Sequence, residues 1–168
     1  MKINMKRSEL KRLLAAVKLV VPARSTVAVL QHVLLRAESD RVTIHATNLE
    51  EYLQGVAEAV IEEPGSVLVP MQTLKDLAKG KAGDQVSIML TSETELTITS
   101  PVAGQEIRQQ VQTIAVTEWS EMPAVDAEMQ TIDTAEMLCA YARVLPAIST
   151  DATRYALHGV YAELPRCP

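Results

Sequence analysis

Ser66-Val67-Leu68-Val69-Pro70-Met71-Gln72-Thr73-Leu74-Lys75-Asp76-Leu77-Ala78-Lys79 passes from a short apolar strand pattern straight into a helical one, in a chain that has already made that move once. The earlier instance is Met1-Lys2-Ile3-Asn4-Met5-Lys6, an alternating segment leading into a helical pattern from Ser8 to Val20. Three strand-like runs follow the first helix, Val27–Leu35, Arg41–Ala46 and Tyr52–Ile61, and three follow the second, Gln85–Leu90, Glu93–Thr99 and Ile107–Ile114. The plan opens a third time at Met129-Gln130-Thr131-Ile132, with a helical pattern over Thr134–Leu145 and one strand-like run, Leu157–Leu164. Helix starts at Ser8, Gln72 and Thr134 lie 64 and then 62 residues apart, which marks a repeat architecture. Short turns such as Glu38-Ser39-Asp40 and Thr91-Ser92 join the strands. The expected fold is therefore α+β, built of β-α-β-β-β units with helices packed on antiparallel sheets.

The helical patterns also sort the charges. In the first, Ser8 is the expected N-cap and Leu10, Leu13, Leu14 and Val17 form the apolar stripe. At 100° per residue, Arg7, Lys11 and Lys18 fall in a narrow arc on one flank of that stripe. Pro22 ends the helix and opens a loop, Pro22-Ala23-Arg24-Ser25-Thr26. The second helix buries Leu74, Leu77 and Ala78, carries Gln72, Lys75 and Lys79 outward, and has Gly80 as its stop. In the third, Asp133 and Glu136 suit a capping box, with Leu138, Tyr141, Ala142 and Leu145 turned inward. A basic flank on an amphipathic helix is by itself only a solvated face. Its recurrence on two equivalent helices, with few aromatics nearby, is the pattern of sequence-independent phosphate contact.

The net charge of −5 conceals this arrangement. Residues 1–24 hold seven cations against Glu9, a balance of +6, and the remainder of the chain carries −11. No run approaches the roughly 20 apolar residues of a membrane span, and the first residues lack the apolar core of a signal peptide. A cytoplasmic protein without membrane association is expected. Cys139 and Cys167 are too few and too far apart for a disulfide framework or a zinc cluster. His32, His45 and His158 are scattered, and Gly80-Lys81-Ala82-Gly83-Asp84 lacks both the spacing and the Ser or Thr of a phosphate loop. No catalytic residue, metal or cofactor is expected, and hence no enzyme.

Four segments, collinear and spread over nearly the whole chain, resemble the family of bacterial sliding clamps, the beta subunit of DNA polymerase III. They are Pro22–Leu30, Asp40–Glu50, Gly65–Pro70 and Ile148–Val160. The resemblance implies a clamp fold in which pairs of repeat units make domains, helices line a ring around duplex DNA, and antiparallel sheets form its outside. Residues 1–125 would be a complete first domain and 126–168 an incomplete second, with the boundary at Pro123–Glu128 and Trp119 packed against the first domain. The family's DNA-contacting loop arginine falls on Arg24, and its arginine-tyrosine pair on Arg154 and Tyr155. Ala156 stands where many members have a second tyrosine, and Gln72 where the second helix often starts with a basic residue, so contact with duplex DNA should be weakened. Arg154 has an alternative role, as the ion-pair partner of Asp151.

Polymerase tethering, with the replication polymerase or a clamp loader as partner, is what the resemblance implies for function. The alternative is a shortened clamp paralogue, an interaction module that associates with itself or with a complete clamp without loading on DNA. An unfinished third unit would leave Leu157–Leu164 with an open edge and Leu138, Tyr141 and Leu145 uncovered, for which self-association is the expected remedy. The closing Pro165-Arg166-Cys167-Pro168 puts two prolines where the next turn and strand would start, which reads as a divergent terminus.

Overall fold

The computed structural model describes residues 1–79, 84–102, 105–122, 131–151 and 153–163. Alternation makes the first strand, β1 (Lys2–Lys6), in which Ile3 and Met5 are buried. It runs without a turn into helix α1 (Arg7–Val17). Ser8 does not cap this helix. Lys6 occupies the N-cap position in an extended conformation, and the Arg7 backbone N–H donates to the Asp84 carbonyl at 2.8 Å. A helix entered directly from a strand meets its first acceptor in a neighbouring segment, so no side chain is required. The helix also stops at Val17 rather than Val20, because the N–H groups of Val20 and Val21 both turn back to the Val17 carbonyl, at 3.1 Å each, just ahead of Pro22.

Strands β2 (His32–Glu38), β3 (Arg41–Thr47) and β4 (Tyr52–Glu58) make a meander, preceded by a 3₁₀ turn over Ala28–Gln31 in place of the strand expected from Val27. The run expected as one strand over Tyr52–Ile61 is two. The chain breaks at Ala59, and β5 (Val60–Glu63) leaves for another sheet. The second repeat follows as β6 (Gly65–Pro70), α2 (Met71–Lys79), β7 (Gln85–Ser92), β8 (Glu95–Val102) and β9 (Gln105–Gln112). Gly80, the expected stop of α2, lies outside the described residues.

Each repeat gives its opening strand to the other. One sheet has the order β5-β1-β7-β8-β9 and the other β4-β3-β2-β6, with every pairing antiparallel. Strand β1 of the first repeat lies against β7 of the second, Ile3 opposite Ile88. Strand β6 of the second lies against β2 of the first, Leu34 opposite Leu68. Between the sheets sit the apolar stripes of α1 (Leu10, Leu13, Leu14, Val17) and α2 (Met71, Leu74, Leu77, Ala78), buried against Val33, Leu35, Ile44, Val69, Val86 and Ile98. A Cβ on Gly55 would come within 3.0 Å of the Leu13 side chain and 3.1 Å of Ile44, so the bare backbone of β4 is what lets α1 settle on the sheet.

The outward side of the four-stranded sheet has its own small core. Trp119, 8% exposed, covers Leu34 and Leu68, with Val29, Ile114 and Val116 around it. The segment that carries Trp119 is tied down at both ends. The Thr113 hydroxyl donates to the Leu68 carbonyl, and Glu121 pairs with Arg36. His45 lies opposite Leu34 on this same side. Burial, and next the positive charge of Arg36, hold its imidazole below the ordinary value of 6.5, with Glu121 pulling the other way.

The chain divides into two compact units, residues 1–123 and 124–168. The second contains helix α3 (Thr134–Val144), capped as its sequence suggests by Asp133 Oδ1, which accepts from the Glu136 N–H at 2.9 Å. Leu138, Val144 and Leu145 are exposed. The strand expected over Leu157–Leu164 is absent from the described residues. Tyr155–Leu157 forms a 3₁₀ turn instead, and 158–163 carry no strand. A strand needs a neighbour to hold its backbone groups, and the described residues of this unit offer none. Of the expected opening at Met129–Ile132, Thr131 and Ile132 have no regular structure and the rest lies outside the described residues, as do the boundary stretch Pro123–Glu128 and the terminal Pro165–Pro168.

Because folding lowers the His45 value, the unfolded chain binds the proton first. Stability is therefore full above 6.5 and falls as the pH drops through 6.5 toward the folded value. Urea denaturation at a series of pH values should show this slope, and His45→Gln should flatten it.

Candidate nucleic-acid interface

Helices α1 and α2 pack on one another. With the sheets behind them, their remaining faces are open to solvent. Lys11 on α1 and Lys18 just past its end are exposed, as are Gln72 and Lys79 on α2, while Lys75 is half-buried. The 64-residue offset puts Lys75 at the place on α2 that Lys11 holds on α1. The two basic flanks thus belong to neighbouring helices of one unit. Arg24 is exposed in the loop after α1. Among the described residues Lys11, Lys18, Arg24 and Lys75 form no ion pair, which leaves their charges available to an outside anion.

Arg7 must be taken off this surface. It is 6% exposed, and its guanidinium donates to the carbonyl of Leu77 across the packed helices. Arg7, Leu10, Leu14 and Val17 keep the spacing of one stripe, and the equivalent residue of α2 is the buried Met71. A cation on an apolar stripe is drawn inside when the partner helix presents a carbonyl. Arg7 therefore fastens α1 to the last turn of α2, where orphan carbonyls carry the negative end of the helix dipole.

Other cations on these elements have internal partners. Arg12, which sequence reading passed over, is 2.8 Å from Glu9 and also donates to the Val56 carbonyl at 2.9 Å, so it faces β4. On α2, the Asp76 carboxylate accepts from Gln72 Nε2 at 2.9 and 3.0 Å and lies 3.8 Å from Lys79 Nζ. Its i,i+4 and i,i+3 spacing to those residues is the signal that could have identified it.

In the second unit the loop over 149–158 is braced by its own polar groups. The Ser149 N–H donates to the Leu157 carbonyl at 3.0 Å, and His158 Nε2 donates to the Asp151 carbonyl at 2.6 Å. The Asp151 carboxylate accepts from the Thr153 hydroxyl at 2.7 Å and the Thr153 N–H at 3.0 Å. These two bonds, the hydroxyl first, hold its carboxyl below the usual carboxylate range. Arg154 Nε lies 3.6 Å from Asp151 Oδ2, the ion pair that was the alternative for this residue. Tyr155 projects from the same loop, 85% exposed. Among the described residues no group of three or more His, Cys, Asp or Glu could hold a metal ion, and no helix is long and apolar enough to cross a membrane. What this arrangement offers chemically is fixed positive charge with hydrogen-bond donors, suited to phosphate.

A family model described as DNA polymerase III beta subunit, N-terminal domain, matches residues 1–123. The beta sliding clamp of Caulobacter vibrioides is 29% identical over 171 aligned positions, covering 96% of this chain and 43% of the relative. The solved structure of Caulobacter crescentus pol III beta superposes with a TM-score of 0.81 at 29% identity, over 95% of this chain and 43% of that one. The Pseudomonas aeruginosa DNA polymerase III subunit beta gives a TM-score of 0.81 at 25% identity, over 95% and 43%. The chain spans less than half the length of the curated relatives it matches.

Arg7→Met should destabilise the first unit by about 1.5–3 kcal/mol, the worth of a hydrogen bond to a charged group. Chemical denaturation followed by circular dichroism measures this. Any binding to DNA by the folded variant should keep the parent's salt dependence.

Proposed function

Because the chain belongs to the DNA polymerase III beta subunit family, through that family's N-terminal domain, we propose that it associates with duplex DNA without reading base sequence. The family is that of a processivity factor rather than an enzyme. The observation that carries the reading is the packing of α1 against α2, two helices whose open faces bear Lys11, Lys18, Lys75 and Lys79. Lys11 and Lys18 with Arg24 supply the principal phosphate contacts, and Lys75, Lys79 and Gln72 the secondary ones. In the second unit Tyr155 offers a stacking surface, and Arg154 a cation partly satisfied by Asp151. Residues 1–125 act as a complete clamp domain and 126–168 as the start of a second. Tethering of a replication polymerase, engagement by a clamp loader and work in the cytoplasm follow for an assembly that contains the remainder of a clamp.

A second reading, the shortened paralogue acting as an interaction module, is favoured by one specific feature. Strand β9 ends its sheet, and Ile107 on it is half exposed, so a backbone edge with an apolar anchor stands open. Co-sedimentation of the chain with an intact clamp is the result this reading requires, and a strict monomer in such mixtures would count against it.

The DNA reading predicts binding of a 20–30 base-pair duplex of arbitrary sequence that weakens steeply with salt. Arg24→Ala should lower the log–log salt slope by about 0.9, one phosphate contact. A chain showing no salt-sensitive binding, or an Arg24→Ala variant indistinguishable from the parent, would sink it.

A further inference from the structure

The two helices proposed to meet DNA are not electrically equivalent. At 64 residues' offset, the residue of α1 that corresponds to Asp76 of α2 is Arg12. The same position is thus a cation on one helix and an anion on the other. Asp76 lies directly opposite the buried stripe of Met71, Leu74, Leu77 and Ala78, at the outermost line of α2. From there both carboxylate oxygens take hydrogen bonds from Gln72 Nε2, at 2.9 and 3.0 Å, while Lys79 Nζ stands 3.8 Å away. Two of the three α2 groups that could serve a phosphate are therefore already turned toward an acid of their own helix.

We infer that Asp76 limits the affinity of this face for DNA, acting as an intramolecular substitute for phosphate on Gln72 and Lys79. The inference rests on the DNA reading above and deepens it. A phosphate oxygen approaching Lys79 comes to a similar distance from the Asp76 carboxylate, so attraction to one charge is offset by repulsion from the other. Counterion release is reduced as well, since a lysine with a carboxylate of its own helix nearby holds less of the salt atmosphere that DNA would displace. Lys75 is the cation of α2 that remains without an ion pair among the described residues. Binding is accordingly dominated by Lys11 and Lys18 of the first helix and by Arg24.

The test compares the full chain with Asp76→Asn and with Glu93→Gln, measuring fluorescence anisotropy on a labelled duplex across a salt series. Glu93 is exposed in the turn at the far end of β7 from α2, so its variant makes the same change in net charge away from the helices. Thermal melts of both variants should match the parent. At low salt Asp76→Asn should bind about fivefold more tightly, the effect of one unit charge at contact distance in water. Its log–log salt slope should steepen by about 0.9 as Lys79 is freed for phosphate. Glu93→Gln should change both much less. A parent that binds DNA while Asp76→Asn matches it, or gains no more than Glu93→Gln, overturns this inference and leaves the DNA reading standing. Absence of salt-sensitive binding in all three proteins defeats both.

Discussion

The first unit depends on the exchange of opening strands between its two repeats. Without β6, the meander β2-β3-β4 would expose the β2 edge and lose Leu68 and Val69 from its two faces. Without β1, β7 would keep β8 but lose its other partner, β5 would be cut off from the sheet, and the core would lose Ile3 and Met5. Neither repeat closes its own sheet, so the smallest structure that satisfies the backbone is the pair. The placement of the helices follows. Each opening strand leads directly into a helix, so fixing β1 and β6 in opposite sheets brings α1 and α2 against one another, with their apolar stripes in the core that both sheets share and their other faces open. Arg7, bonded to the Leu77 carbonyl, closes that contact with a polar link inside an apolar seam.

Much of this architecture was legible in the sequence, and the gaps have physical causes. Period-two and period-3.6 patterns placed three helices and eight strand runs, one of them covering both β4 and β5, close to their places among the described residues, because burial on one face forces those periods. Patterns of this kind carry no information on which strands pair. Tyr52–Ile61 read as continuous because β4 and β5 are both strands; only the choice of partner, β3 for one and β1 for the other, breaks the chain at Ala59. The missing strand after Tyr155 is the converse case. Leu157–Leu164 has a strand's composition, but composition becomes a strand only when another strand lies alongside.

The basic surface was legible at the level of helices and misjudged at the level of single residues. Lys11 and Lys75 hold equivalent positions of the repeat, the first exposed and the second half-buried. Arg7 shares their sign but lies on the apolar stripe, and a nearby carbonyl decided its fate. Arg154 and Lys79 show the other limit of reading charge from sequence, since a carboxylate three residues away alters what each can offer an outside phosphate. Counting cations overstates an electrostatic face wherever the helix or loop supplies its own counterion.

The pairing of β1 with β7 also dictates when this unit can form during synthesis. Ile3 leaves the ribosome 85 residues before Ile88, its register partner, and until then the first strand has only β5 to lie against. A nascent chain of one repeat therefore holds an apolar helix and an unfinished sheet, with no way to seal either. Closure of a loop this long makes the rate of folding depend on distant contacts rather than on helix formation. Until β7 emerges, the open edge of β1 and the apolar stripe of α1 are surface of the kind on which aggregation and chaperone capture act.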